Sequence, residues 1–156
     1  MPTDVAHERV RATWDLHHER LWRAILAWSG DEEVASDAVA EAFAQAIRRG
    51  EAIGHVDRWV WRSAFRIAAG ALKGRPEPIG TDERADGATI PDETVALLDA
   101  LSRLSADDRT VVVLALVGGW SSAEIGRMTD TTAGAARVRL HRARARLRSL
   151  LEDDDG

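Results

Sequence analysis

Apolar residues recur every three or four positions along most of the chain, in stretches separated by short breaks. Trp14, Leu21, Ile25 and Trp28 fall on one face of a 3.6-residue period and predict a helix over 14–28. Gly30 suits its end. Asp31, Glu32 and Glu33 suit the first turn of a second helix, where the backbone dipole favours anions. That helix carries Val39, Ala42, Phe43, Ala46 and Ile47, and closes on Arg48, Arg49 and Gly50. After the loop EAIGHV, a third helix starts near Asp57 with the stripe Trp61, Phe65, Ala68 and Leu72. The pattern then fails. GRPEPIGTDERADGATIP, from Gly74 to Pro91, is rich in proline and glycine and poor in large apolar residues, which predicts a flexible acidic linker.

A second helical unit begins near Asp92, with Leu97, Leu98, Leu101 and Leu104 on one helix. TVVVLALV could form a strand by its valines alone. Ser105, with Asp108 three residues on, offers an N-terminal cap, and Gly118 and Gly119 offer a stop, so a buried helix of about three turns is the better reading. Ser121 and Glu124 form the capping box S-S-A-E and start a short helix reaching Met128. Thr129, Asp130 and Thr131 make a tight turn, and Thr132 can cap the last helix.

That last segment reads AARVRLHRARARLRSLL. RARARLR alternates as a strand would, but Ala, Leu and Arg are strong helix formers. Ala136, Leu140, Ala143, Leu147 and Leu151 also lie within about 80° of each other on a helix. Arg137, Arg144 and Arg148, with His141, then share one flank, and Arg139, Arg142 and Arg146 share another. The expected fold is all-α: two small helical domains, 12–75 and 92–151, joined by a linker over 76–91.

Charge sharpens the picture. The chain has 156 residues and a formal net charge of −5, from 26 acidic and 21 basic residues. Residues 129–150 nevertheless hold six basic groups and one acidic, and the segments on either side are acidic. A solvated helix face, with arginines drawn to the acidic tail, would explain the charge alone. It would not explain why a short capped helix and a three-residue turn come first. That order is the helix-turn-helix layout, in which the second helix enters the major groove and flanking arginines hold phosphates or read guanine edges.

Other chemistry is thin. There is no cysteine, so disulfides and thiolate metal sites are excluded and a cytoplasmic setting is expected. The longest apolar run, Val111 to Val117, is far short of the ~20 residues that span a bilayer, and no secretory signal opens the chain. His17, His18 and Glu19 lack H-E-x-x-H spacing, so no metal centre is expected. No glycine-rich phosphate loop or nucleophile elbow is present, and no enzymatic activity or cofactor is expected.

The chain resembles the small two-domain ECF (extracytoplasmic function) sigma factors of the sigma-70 family. LSADDRTVVVLALVGGWSSAEIGRMTDTTAGAARVRLHRARARL looks like their region 4, with RLHRAR the most specific match. SDAVAEAFAQAI, from Ser36 to Ile47, looks like region 2.2. DRWVWRSAFRIAAGALKGR, from Asp57 to Arg75, resembles the stretch that melts and reads the −10 element. Two departures stand out: Arg66, Gly70 and Ala71 replace the family's Asn and Asp-His, and Asp130 and Thr131 replace the glycine and aliphatic residue of the turn.

The resemblance implies a sigma factor that binds core RNA polymerase and directs promoter recognition. Asp37 and Glu41 would meet the polymerase clamp. Trp59, Trp61, Arg62, Arg66, Lys73 and Arg75 would face −10 DNA. Thr132, Arg137, Arg139 and Arg142 would face −35 DNA. An anti-sigma factor is a further implied partner. Trp59 and Trp61 beside Arg58 and Arg62 suit stacking on unpaired bases, although Trp61, on the apolar stripe, suits the core better. A stand-alone helix-turn-helix regulator, or a polymerase- or partner-binding protein without promoter recognition, would share much of this pattern.

Overall fold

The computed structural model describes residues 2–73 and 91–155. The described residues form seven α-helices and no strand, as the helical periods require. The chain divides into two compact units, the first drawn from residues 1–26 and 32–75, the second from 27–31 and from 76 onwards. The stretch from Gly74 to Ile90, which holds Arg75 and most of the expected linker, lies outside the described residues.

In the first unit, α1 (Pro2–Ser29) starts twelve residues before the position that periodicity marked. The reason is visible in its buried face. Ala6, Val10 and Thr13 continue, two to four turns back from Leu21, the face that carries Leu21, Ala24 and Ile25. Pro2 is tolerated at the first helical position, where its missing N–H has no partner to lose. Trp14, by contrast, is half-exposed rather than central to the core.

α2 (Glu32–Arg49) buries Val34, Ala35, Ala38, Val39, Ala42, Phe43 and Ala46. Four of these are alanines, so α3 (Val56–Leu72) can approach closely with its larger Val60, Trp61 and Phe65. Ile47, expected on the apolar face, is exposed in the last turn. Gly50 follows at φ +56, a backbone state that disfavours side chains, and opens a short 3₁₀ turn to Ala52. The α1–α2 contact is pinned by the Trp22 indole N–H donating to Ser36 Oγ at 3.0 Å, and by Trp14 edge-on to Phe43. Arg9 donates to the carbonyls of Ile53 and Gly54, both at 3.0 Å, fixing the chain just before α3.

In the second unit, α4 (Asp92–Ser102) ends on carbonyls that Arg109 collects. Its guanidinium donates to Leu101 O (3.0 Å), Ser102 O (3.2 Å) and Leu104 O (3.1 Å). One half-buried side chain thus gathers carbonyls at and just beyond the helix C-terminus, where intrahelical donors run out. Arg109 stands on α5 (Ala106–Leu116), capped by Ser105 Oγ accepting from Asp108 N at 3.2 Å. The valine run is helical, and Val111, Val112, Val113 and Leu114 are all buried. Four successive buried positions leave no polar face over that stretch, which explains its strand-like composition.

α6 (Ser122–Met128) carries the full capping box: Ser121 Oγ accepts from Glu124 N at 3.2 Å, and Glu124 Oε1 accepts from Ser121 N at 3.0 Å. α7 (Ala133–Asp155) follows, capped by Thr132 Oγ1 accepting from Ala135 N at 3.0 Å. Its buried stripe is Ala136, Ala143, Leu147 and Leu150, with Leu140 half-buried. Leu150 takes the place expected of Leu151, because at 100° per residue it lies closer to the line through Ala136, Ala143 and Leu147.

Candidate nucleic-acid interface

The turn between α6 and α7 sets the site. Thr131 N donates to Gly126 O at 2.8 Å, and Asp130 takes φ +57. Aspartate tolerates that left-handed state better than most residues, so it serves where a glycine is usual. Gly126 lies so close to the turn that a Cβ there would meet Thr131 O at 2.8 Å and Thr132 C and O at 3.0 Å. The two helices therefore approach backbone to backbone, and the start of α7 is held rigidly.

α7 is 23 residues long, about 34 Å of helix. All six of its arginines are exposed. Thr132, Arg137, Arg139 and Arg142 come together within the cap and the first three turns, but their surroundings differ. Arg139 Nη1 lies 3.2 Å from Asp108 Oδ1 and 3.8 Å from Asp107 Oδ2, both on the first turn of α5. These acids, Arg139, Arg142 and the first turns of α7 border a groove of 710 Å³. On the opposite flank, Arg137, His141, Arg144 and Arg148 surround Leu140, Leu147 and the exposed Leu116 of α5, bordering a second groove of 500 Å³.

The first unit carries separate candidate surfaces. Arg62 and Arg66 are exposed one turn apart on α3, and Lys73 is exposed just past its end. Trp61 is buried at 1% exposure and stacks on Phe65, so it is core and not a base-stacking platform. Trp59 is half-buried, and the Arg49 guanidinium lies 5.5 Å from its ring centroid. On α2, Asp37 and Glu41 are exposed one turn apart on the same face. Glu41 accepts from Gln45 and Arg48, both at 3.0 Å; the Gln45 hydrogen bond first, and Arg48 after it, hold its carboxyl below the usual range. Between α1 and α2, Trp14, His18, Trp22, Val39 and Ala40 line an aromatic groove of 400 Å³, with Trp14 and His18 stacked at 4.4 Å.

Residues 94–147 match the family described as Sigma-70, region 4. The ECF RNA polymerase sigma factor SigL of Mycobacterium tuberculosis is 32% identical over 162 residues, which covers 92% of this chain and 89% of that protein. This chain belongs to the ECF family of RNA polymerase sigma factors. Its fold agrees with theirs: the sigma factor RpoE of Bartonella quintana, solved with the anti-sigma factor NepR, has a TM-score of 0.74 at 19% identity over 91% of this chain and 96% of that one. CnrH, solved with the cytosolic domain of CnrY, has a TM-score of 0.69 at 22% identity over 98% of both chains.

As a member of that family the chain is an RNA polymerase sigma factor, which acts in transcription initiation. Among its described residues, no helix is long and apolar enough to cross a membrane, and no three His, Cys, Asp or Glu side chains gather as a metal-binding group. Sequence pattern placed the arginines on α7 but did not show that Arg139 pairs with α5. The ADD that follows Ser105 was the available signal, read there only as a helix cap.

Proposed function

We propose that this sigma factor binds core RNA polymerase through α2 and reads promoter DNA through α7 and α3, supplying specificity and no catalysis of its own, in the cytoplasm. The observation that carries this reading is the α6–turn–α7 unit, whose tight turn at Gly126 presents an exposed arginine face on a rigid helix. Residues 12–75 act as region 2, 92–151 as region 4, and 76–91 as the tether between them. Asp37 and Glu41 offer adjacent carboxylates to a basic surface of the polymerase clamp. Thr132, Arg137, Arg139 and Arg142 face the −35 duplex. Trp59, Arg62, Arg66, Lys73 and Arg75 face −10 DNA, with the Arg49-backed indole of Trp59 as the one aromatic platform of that set. An anti-sigma factor is the expected antagonist, since both structural neighbours were solved with a protein partner.

Size-exclusion chromatography of the full chain with bacterial core RNA polymerase tests the polymerase half. Co-elution is expected, and Asp37→Arg should abolish it while the circular-dichroism spectrum stays helical. Failure of the folded wild type to co-elute would overturn the reading, and unchanged co-elution of the variant would remove Asp37 from the interface.

A further inference from the structure

The face of α7 farthest from its core carries Ala135, Val138, Arg142 and Ala145, spaced three, four and three residues apart and all exposed. At 100° per residue they form one narrow stripe opposite Ala136, Ala143 and Leu147. Three of the four are short or apolar, which is unusual for the solvent side of a helix so rich in arginine. Val138 is the notable member: it is 51% exposed, packs into no core, and is a poorer helix former than alanine. It borders the 710 Å³ groove with Arg139 and Arg142 and leaves about half of its surface open there.

Its position gives it a use. Val138 lies in the second turn after the Thr132 cap, within the N-terminal part of α7 that a recognition helix presents to base edges. Ala135, one turn earlier, adds no bulk that would hold the helix off the groove floor. Arg142, four residues on and bordering the same groove as Val138, carries a group able to hold phosphate or guanine. Val138 can donate and accept no hydrogen bond. In the major groove of B-DNA the one apolar feature that distinguishes a base pair is the 5-methyl group of thymine.

We propose that Val138 is a specificity-determining residue that reads the 5-methyl group of a thymine in the −35 element. The inference rests on the reading that α7 enters the −35 major groove, and it adds the base to which that helix is apolar-complementary. Arg142 supplies charge beside it, and Arg139, on the same groove, is held by Asp107 and Asp108.

The test uses the full chain assembled with core polymerase. Duplexes randomised upstream of a fixed −10 region are selected for holoenzyme binding. In the selected sequence each thymine is then replaced, one at a time, by deoxyuridine, which lacks only the 5-methyl group. One replacement should weaken wild-type binding about fourfold, the ~0.8 kcal/mol of one buried methyl group. The Val138→Ala holoenzyme should bind the thymine duplex less tightly and be insensitive to that replacement. If no replacement matters, or if Val138→Ala shows the same loss as wild type, the proposal is overturned while the DNA-reading role of α7 stands, provided Arg142→Ala still weakens binding. If no sequence is enriched and Arg142→Ala changes nothing, the underlying reading fails as well.

Discussion

Replacing Gly126 by alanine should destabilise the second unit, and replacing Gly70 by alanine should stabilise the first, although both glycines lie within helices. Alanine gains about 1 kcal/mol over glycine in a helix interior and about half of that or more near an end. At Gly70, on the last turns of α3, nothing lies within 4 Å of the new Cβ, so that gain is kept. At Gly126 the Cβ would meet backbone atoms at 2.8 and 3.0 Å. Backbone cannot swing aside as a long side chain can, so the turn or α7 must shift. Overpacking of this kind costs about 1–3 kcal/mol. Subtracting the helix gain leaves a net loss of about 1 kcal/mol. For a unit of this size, 1 kcal/mol corresponds to about 4–8 °C in Tm. Scanning calorimetry of the full chain should therefore show one transition lowered by several degrees in Gly126→Ala and one raised by a few degrees in Gly70→Ala. A rise for Gly126→Ala matching that of Gly70→Ala would refute the close approach of α6 to the turn, and with it the argument that α7 is rigidly presented.

Two further results are expected. Arg109→Met should remove about 2–3 kcal/mol, because three carbonyls at and just beyond the end of α4 lose the hydrogen bonds of its half-buried guanidinium; Arg109→Lys should rescue little, since an ammonium cannot span them as a planar fork does, and urea unfolding of the three proteins measures both. Glu41 should titrate below its ordinary value of 4.5 in a carboxyl NMR titration, with Gln45→Ala raising it more than Arg48→Ala. Because the folded value is the depressed one, the stability gained from these contacts is full above pH 4.5 and is lost as pH falls through the folded value.

Much of the architecture could be read directly from the chain. Caps and periods are local, so Ser105, Ser121 and Thr132 mark helix starts that the structure keeps, and the leucine and alanine spacing of α7 marks its buried side. Even the turn was legible, because aspartate at position 130 is one of the few residues at ease at positive φ. The choice of helix for VVVLALV was legible only through its cap and stop, since burial of the four successive residues Val111 to Leu114 had erased its period.

The candidate site was legible in kind and not in detail. Sequence placed six arginines on one helix, because residue order and a 3.6-residue period decide which side chains share a flank. Only the packing of α7 on α5 decided that Arg139 is held by Asp107 and Asp108, 31 or 32 positions away in the chain. Packing likewise left Trp59 half-exposed under Arg49, two residues before the Trp61 that the apolar stripe had already marked for the core. It left Val138 pointing outward and brought the backbone of Thr131 within reach of any side chain at position 126. The physical reason is common to all four. Helix formation is settled by neighbours a turn apart, which the chain lists in order, whereas exposure, ion pairing and close approach depend on which helix lies against which, and that is decided by the core as a whole.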